Sequence, residues 1–287
     1  MAKVPKNLAA SVRQRLLNLS RERGLVFDVV LVTYGLERLI YRLSISSHRD
    51  RFILKGGMLV TLWIVDENRV TRDADFTAFG DSNEDQLKTV FTEILNLAFD
   101  DGLNFDTDAL IALPIREGQE YGGVRLKTTA YLGKTRIPIT IDIGFGDAIT
   151  DPEYTIDYPS LLDMPTADIR AYPPASVIAE KFQAIVTLGL ANGRMKDYYD
   201  LWAIPNAMLI DPAELDAAIL ATFERRGTAI PRGVPIGLSN EFVTDAQKTQ
   251  QWEAYAGSID LEGLTLETVI ETIWSYIGPS CKRLTNE

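Results

Sequence analysis

Lys55-Gly56-Gly57, a short apolar run, and then Arg72-Asp73-Ala74-Asp75 make up the stretch whose reading decides the fold. In an extended segment, side chains two apart point the same way, so Asp73 and Asp75 stand together on one face. Two carboxylates about 4 Å apart repel by roughly 4 kcal/mol at an effective dielectric near ~20, which invites a divalent cation. The paired glycines let the backbone approach a phosphate with no Cβ in the way. Together these features read as a metal and nucleotide site.

Around that stretch, residues 52–54 read as a short strand ending in the glycine turn, and 58–64 as the start of a helix. Residues 26–44 have the spacing of a buried helix. Asp81-Ser82-Asn83 caps a further helix expected to reach Phe99, with Leu87, Val90, Phe91, Ile94, Leu95 and Ala98 on one face. Strands are expected over 105–108, 110–115, 124–131 and 137–145, the last two joined by a Leu132-Gly133-Lys134-Thr135 turn. In Ile139-Thr140-Ile141-Asp142-Ile143, Asp142 must project opposite Ile141 and Ile143. It completes a three-carboxylate cluster if its strand neighbours that of Asp73; otherwise it is a carboxylate on a solvated sheet face.

Pro159, Pro165, Pro173 and Pro174 punctuate a poorly periodic stretch, beyond which 175–190, 195–203, 212–226, 241–256 and 265–276 read as helices. In the first of these, Val177, Lys181, Ala184, Ile185 and Leu188 share one stripe. The Lys181 ammonium must then snorkel out or meet a fixed anion, such as a nucleotide triphosphate. Lys196 and Asp200 are spaced for a surface ion pair, while Asp197 and Asp200 can instead face one site with Arg194 and Lys196 beside them.

The chain has 287 residues, 46% of them apolar, enough for a sizeable core. No run of about 18 apolar residues appears, and the start is basic and polar rather than a signal peptide, so a cytoplasmic protein without membrane contact is expected. The single cysteine, Cys281, excludes an internal disulfide, and with one histidine, His48, no structural zinc set exists. A Ser-His-Asp or Cys-His enzyme would need His48 as its base, but Ser46-Ser47-His48-Arg49-Asp50 reads as a solvated loop. The net charge is −11, yet residues 1–55 hold eleven Lys or Arg against four acids, a net of +7. That basic region either guides RNA or is a solvated amphipathic helix.

Four ordered blocks resemble the AbiEii/AbiGii toxin family, nucleotidyltransferases of the DNA polymerase β-like superfamily: Lys55-Gly56-Gly57 through Asp73-Ala74-Asp75, Asp142, Glu180-Lys181, and Arg194-x-Lys196-Asp197-x-x-Asp200. The likeness spans residues 50–205. It implies an α+β fold: a mixed β-sheet nucleotidyltransferase core with flanking helices and a basic N-terminal helical region over 1–165, then a helical C-terminal domain over 166–287. It further implies Asp73, Asp75, Lys181 and Asp197 as the catalytic set, and Asp73, Asp75 and Asp142 as ligands of Mg2+, for which Mn2+ can substitute. AbiEii-like members depart from the superfamily's third-carboxylate scheme, which bears on Asp142. NTP contacts fall to Lys55, Gly56, Gly57, Thr71, Lys181, Arg194, Lys196 and Asp200. Thr71 sits where some relatives carry a serine that becomes phosphorylated. The implied activity is transfer of nucleotides from NTP to tRNA, at its 3′ acceptor end, by a toxin of a toxin–antitoxin or phage-defence pair that blocks translation. Its protein partner would be a cognate antitoxin of winged-helix type. The alternatives are nucleotidyl or phosphoryl transfer to a protein or small molecule, and an NTP-binding regulator without turnover.

Overall fold

Isoleucines at alternate positions organise the central sheet. In β6 (Thr135–Phe145), Ile137, Ile139, Ile141 and Ile143 are buried while Arg136 and Pro138 are exposed, the period of two expected of a strand with one packed face. The computed structural model describes residues 7–64, 66–80, 83–115 and 122–286. It orders the strands as β1 (Phe52–Lys55), β2 (Ala74–Ala78), β6, β5 (Gly123–Leu132) and β3 (Leu103–Phe105), with β4 (Ile111–Ile115) also paired to β5. β2 and β6 run parallel and the other pairings in this sheet are antiparallel, so the sheet is mixed. Gly133, at φ +63°, supplies the left-handed turn of the β5–β6 hairpin. β3 ends earlier than the expected 105–108 strand because the Asp106 side chain accepts the Ala109 N–H at 3.0 Å and turns the chain.

The chain forms two compact units. The first comprises Met1–Leu59, Val70–Gly146 and Pro152–Ala171; the second comprises Val60–Arg69, Asp147–Asp151 and Tyr172–Glu287. The first unit carries the six-stranded sheet with α1 (Leu8–Arg23), α2 (Phe27–Ser44) and α4 (Glu84–Leu95). α2 lies close on the isoleucine face: a Cβ at Gly35 would sit 2.8 Å from Ile139 Cδ1 and 3.2 Å from Ile137 Cγ2. Asn83 caps α4 by accepting the Gln86 N–H at 3.0 Å; Asp81 and Ser82, also read as capping, lie outside the described residues, as do Lys3 and Lys6 of the basic region. α4 stops at Leu95 instead of reaching Phe99, and Ala98 is exposed rather than on the apolar face. The chain leaves the helix so that the Leu97 carbonyl can accept Arg42 Nε at 3.1 Å and Phe99 can pack against Tyr41, the tilted rings 4.6 Å apart at their centroids.

Buried charges on α2 order its surroundings. Glu37 accepts Ser160 Oγ and the Leu161 N–H, each at 2.7 Å, and Arg38 Nη2 donates to the Pro165 carbonyl at 3.1 Å. These bonds hold the proline-punctuated stretch. Within it lies a two-stranded antiparallel sheet, β7 (Thr155–Tyr158) and β8 (Ala167–Arg170), which the sequence reading left irregular because four-residue strands between prolines show too little alternation.

α3 (Gly57–Trp63) follows the glycine turn. The second unit is helical beyond residue 173: α5 (Pro174–Leu188), α6 (Met195–Ala207), α7 (Pro212–Arg225), α8 (Asn240–Thr244), α9 (Ala246–Ser258) and α10 (Leu266–Thr285). The expected 241–256 helix is two helices, since Asp245 accepts the Gln247 and Lys248 N–H groups and starts α9 afresh. α10 runs past its expected end at 276 and through Pro279, because Ile277, Gly278, Ser280 and Cys281 are buried. Burying that turn offsets the proline's cost of about 3 kcal/mol. α6 likewise continues through Pro205 beyond the expected 203. Among the described residues, no helix is long and apolar enough to cross a membrane.

Arg42 joins Asp101 through Nη1 to Oδ2 at 2.5 Å and Nη2 to Oδ1 at 3.1 Å, with side chains only 2% and 0% exposed. Asp101→Ala would leave a buried guanidinium without its counter-ion, and urea unfolding is expected to show a loss of about 3–5 kcal/mol.

Candidate active site

Strand register gathers the charged residues. Lys55 lies opposite Asp75, Asp75 opposite Asp142, and Asp142 opposite Arg125, so one row crosses β1, β2, β6 and β5 on the sheet face away from Ile141 and Ile143. Asp73 directly precedes β2, where Thr71 Oγ1 donates to its Oδ1 at 2.7 Å. One oxygen each from Asp73, Asp75 and Asp142 come within 4.8 Å of one another. Burial first, then repulsion from Asp73 and, against the pull of Lys55, from Asp142, pushes the Asp75 pKa up to about 6. The three sequence-predicted carboxylates are thus one cluster of hard oxygen donors that suits Mg2+ or Mn2+.

The glycine turn closes on the same cluster. Gly56 has φ +70°, and a Cβ there would lie 2.2 Å from Asp75 Oδ2; the Gly57 N–H meets that oxygen at 3.4 Å. The space that the glycines were read as leaving for a phosphate is in part taken by the Asp75 carboxylate. Asp142 is held differently. Arg125 donates to it through Nε at 2.7 Å and Nη2 at 2.6 Å, a bidentate pair that, chiefly through the hydrogen bond to Asp142, raises the Arg125 pKa further. Arg125 was absent from the residues read as functional, although counting back from the Gly133-Lys134 turn pairs it with Asp142.

The second unit holds a separate charged group. Lys181 donates to Asp197 Oδ1 and lies 2.9 Å from Asp200 Oδ2, while Arg69 donates to Asp200 through Nε at 2.7 Å and Nη2 at 2.6 Å. Burial pulls the Lys181 pKa down, but Asp200 and Asp197 outweigh it and leave the ammonium more firmly protonated than an ordinary lysine. Burial likewise raises that of Asp200, yet Lys181 and Arg69 bring it below the usual carboxylate range. The fixed anion required by Lys181 is therefore this carboxylate pair. Asp200, read as an NTP contact or as half of a surface ion pair with Lys196, is fully buried with both oxygens engaged, so it holds the lysine instead of offering an atom to a ligand. Arg194 is exposed and Lys196 half-buried at the start of α6. Glu180 is tied to Arg226 Nη2 at 3.1 Å. Arg69 escaped the sequence reading because 131 residues separate it from Asp200. His48 makes a surface contact, its Nε2 2.7 Å from Glu93 Oε2.

The Asp75 shift has a consequence for stability. Its folded pKa of about 6 lies above the ordinary 3.8, so the folded state binds the extra proton between those values. Stability of the metal-free protein is therefore expected to fall as pH rises from about 4 to about 6. Urea unfolding across that interval, without divalent ions, should show Asp75→Asn flattening this part of the wild-type curve.

The family model described as nucleotidyl transferase AbiEii toxin, type IV TA system, matches residues 38–274. The fold is similar to that of MenT4, a nucleotidyltransferase toxin from Mycobacterium tuberculosis, at 18% identity and a TM-score of 0.52, covering 96% of this chain and 98% of that one. JHP933 from Helicobacter pylori matches at 15% identity and a TM-score of 0.49, over 89% of this chain and 94% of its own. None of the curated proteins matches. Given a family match over most of its length and the mixed sheet that goes with it, the chain belongs to the AbiEii family of nucleotidyltransferase toxins of type IV toxin–antitoxin systems.

Proposed function

We propose that this toxin transfers nucleotides from an NTP to the 3′ acceptor end of tRNA, in the cytoplasm, with Mg2+ held by Asp73 and Asp75. The observation that carries the reading is the convergence of Asp73, Asp75 and Asp142 beside the Gly56-Gly57 turn. Mutually repelling acids are stable together when cations lie among them, here Arg125 on Asp142 and a divalent ion on Asp73 and Asp75. When bound, Mg2+ would offset the negative charge that builds on the α-phosphate. Thr71 orients Asp73, and the turn orients Asp75. An acceptor hydroxyl forms the new bond to the α-phosphorus as the bond to the β-phosphate breaks, pyrophosphate leaves, and the hydroxyl proton passes to a carboxylate of the cluster and on to water.

On the family likeness, Lys181, Lys196 and Arg194 are assigned to the phosphates and Asp197 to the catalytic set through its bond to Lys181. The RNA reading is supported by α1, which exposes Arg13, Arg15, Arg21 and Arg23. A winged-helix antitoxin and a role in phage defence belong to the same proposal. Incubation with labelled NTPs, Mg2+ and total tRNA is expected to label tRNA. Asp73→Asn should lower transfer by about 100-fold or more with the melting transition retained, whereas Lys181→Ala should lower transfer and the melting temperature together, because Asp200 loses one of its two buried counter-ions. Label on protein alone, or Mg2+–NTP binding with no transfer, would replace the tRNA reading, and an active Asp73→Asn would remove the metal role.

A further inference from the structure

The three carboxylates are not held alike. Thr71 meets Asp73 at one oxygen, and the Gly57 N–H meets Asp75 at one oxygen, both neutral single-point contacts. Asp142 gives one oxygen to Arg125 Nε at 2.7 Å and the other to Arg125 Nη2 at 2.6 Å. Both oxygens of Asp142 are engaged by an opposite charge, so a metal must displace a guanidinium there, whereas at Asp73 and Asp75 it meets one uncharged donor on one oxygen, with Lys55 standing opposite Asp75 on the neighbouring strand.

Distance and charge agree. Oxygens on one Mg2+ lie at most about 4.2 Å apart, twice the usual bond length. The cluster's three oxygens lie within 4.8 Å of one another, so seating an ion calls for small adjustments, and Asp142 is the carboxylate tethered at both oxygens. Three carboxylates, one guanidinium and one divalent ion leave no net charge. A second divalent ion would leave an excess of positive charge beside Lys55, which stands opposite Asp75.

We infer that the cluster takes a single divalent cation, on Asp73 and Asp75, and that Arg125 closes Asp142 to metal by occupying the place of a second ion. This makes Arg125 a positioning residue that sets metal stoichiometry, and it rests on the metal reading of the proposed function. The test is a titration of the full chain with Mn2+ alone, followed by electron paramagnetic resonance. Wild type is expected to bind one ion, Asp142→Asn to keep it with its affinity changed less than 3-fold, Asp73→Asn to lose it, and Arg125→Gln to bind two. Arg125 is 40% exposed at its side chain, so its replacement leaves the core intact, and Asp142→Asn provides an isosteric second variant. A wild type that binds two ions, an Asp142→Asn protein that loses Mn2+ as Asp73→Asn does, or an Arg125→Gln protein still limited to one, overturns the inference while leaving nucleotidyl transfer standing. Complete failure of wild type to bind Mn2+ sinks the metal reading itself, and with it the inference.

Discussion

Repulsion among three carboxylates is the constraint on which the first unit is arranged. Asp73, Asp75 and Asp142 share a space that no apolar packing would create, and burial, together with this repulsion, pushes the Asp75 pKa up to about 6. What makes the arrangement tenable is the sheet. Pairing β2 in parallel with β6 sets Asp75 beside Asp142, and the antiparallel neighbours on either side bring Lys55 and Arg125 to the two ends of the row. Two cations therefore flank two anions across four strands. A one-residue slip of any strand would send its charge into the isoleucine face and apolar side chains into solvent, so the packing of α2 on that face also keeps the acids in register.

The remaining buried charges follow the same rule. Glu37, Arg38, Arg42 and Asp101 in the first unit, and Arg69, Lys181 and Asp200 in the second, are all but removed from water, and each has an opposite charge or a backbone group at hydrogen-bond distance. Such pairs contribute little net stability compared with apolar residues of similar size, but breaking one leaves a charge stranded. Their effect is to make particular loop positions obligatory. Residues 159–165 are held by Glu37 and Arg38, and the end of the 60–69 segment is held by Asp200.

Much of this was legible from local pattern. The glycine turn, the Asp73/Asp75 pair, the hairpin and the outward direction of Asp142 follow from periods of two and from turn chemistry, which act over a few residues. The requirement that Lys181 meet an anion also followed, because a lysine on an apolar stripe has few options. What failed were endings and interruptions. α4 stops early because Arg42 needs the Leu97 carbonyl, α10 overruns Pro279 because its last turns are buried, and Asp245 restarts a helix that composition alone would continue. In each case a distant contact or a side-chain cap outweighed propensity.

Residue spacing by itself determined which face of their own element the candidate residues occupy, since side-chain direction repeats with the backbone. Tertiary structure decided who stands next to whom. Arg125 on Asp142, Arg69 on Asp200 and the three acids within one site depend on strand order, register and long chain separations. The physical reason is range: backbone geometry dictates neighbours a few residues away, whereas the partner of a buried charge is chosen by the whole packed fold.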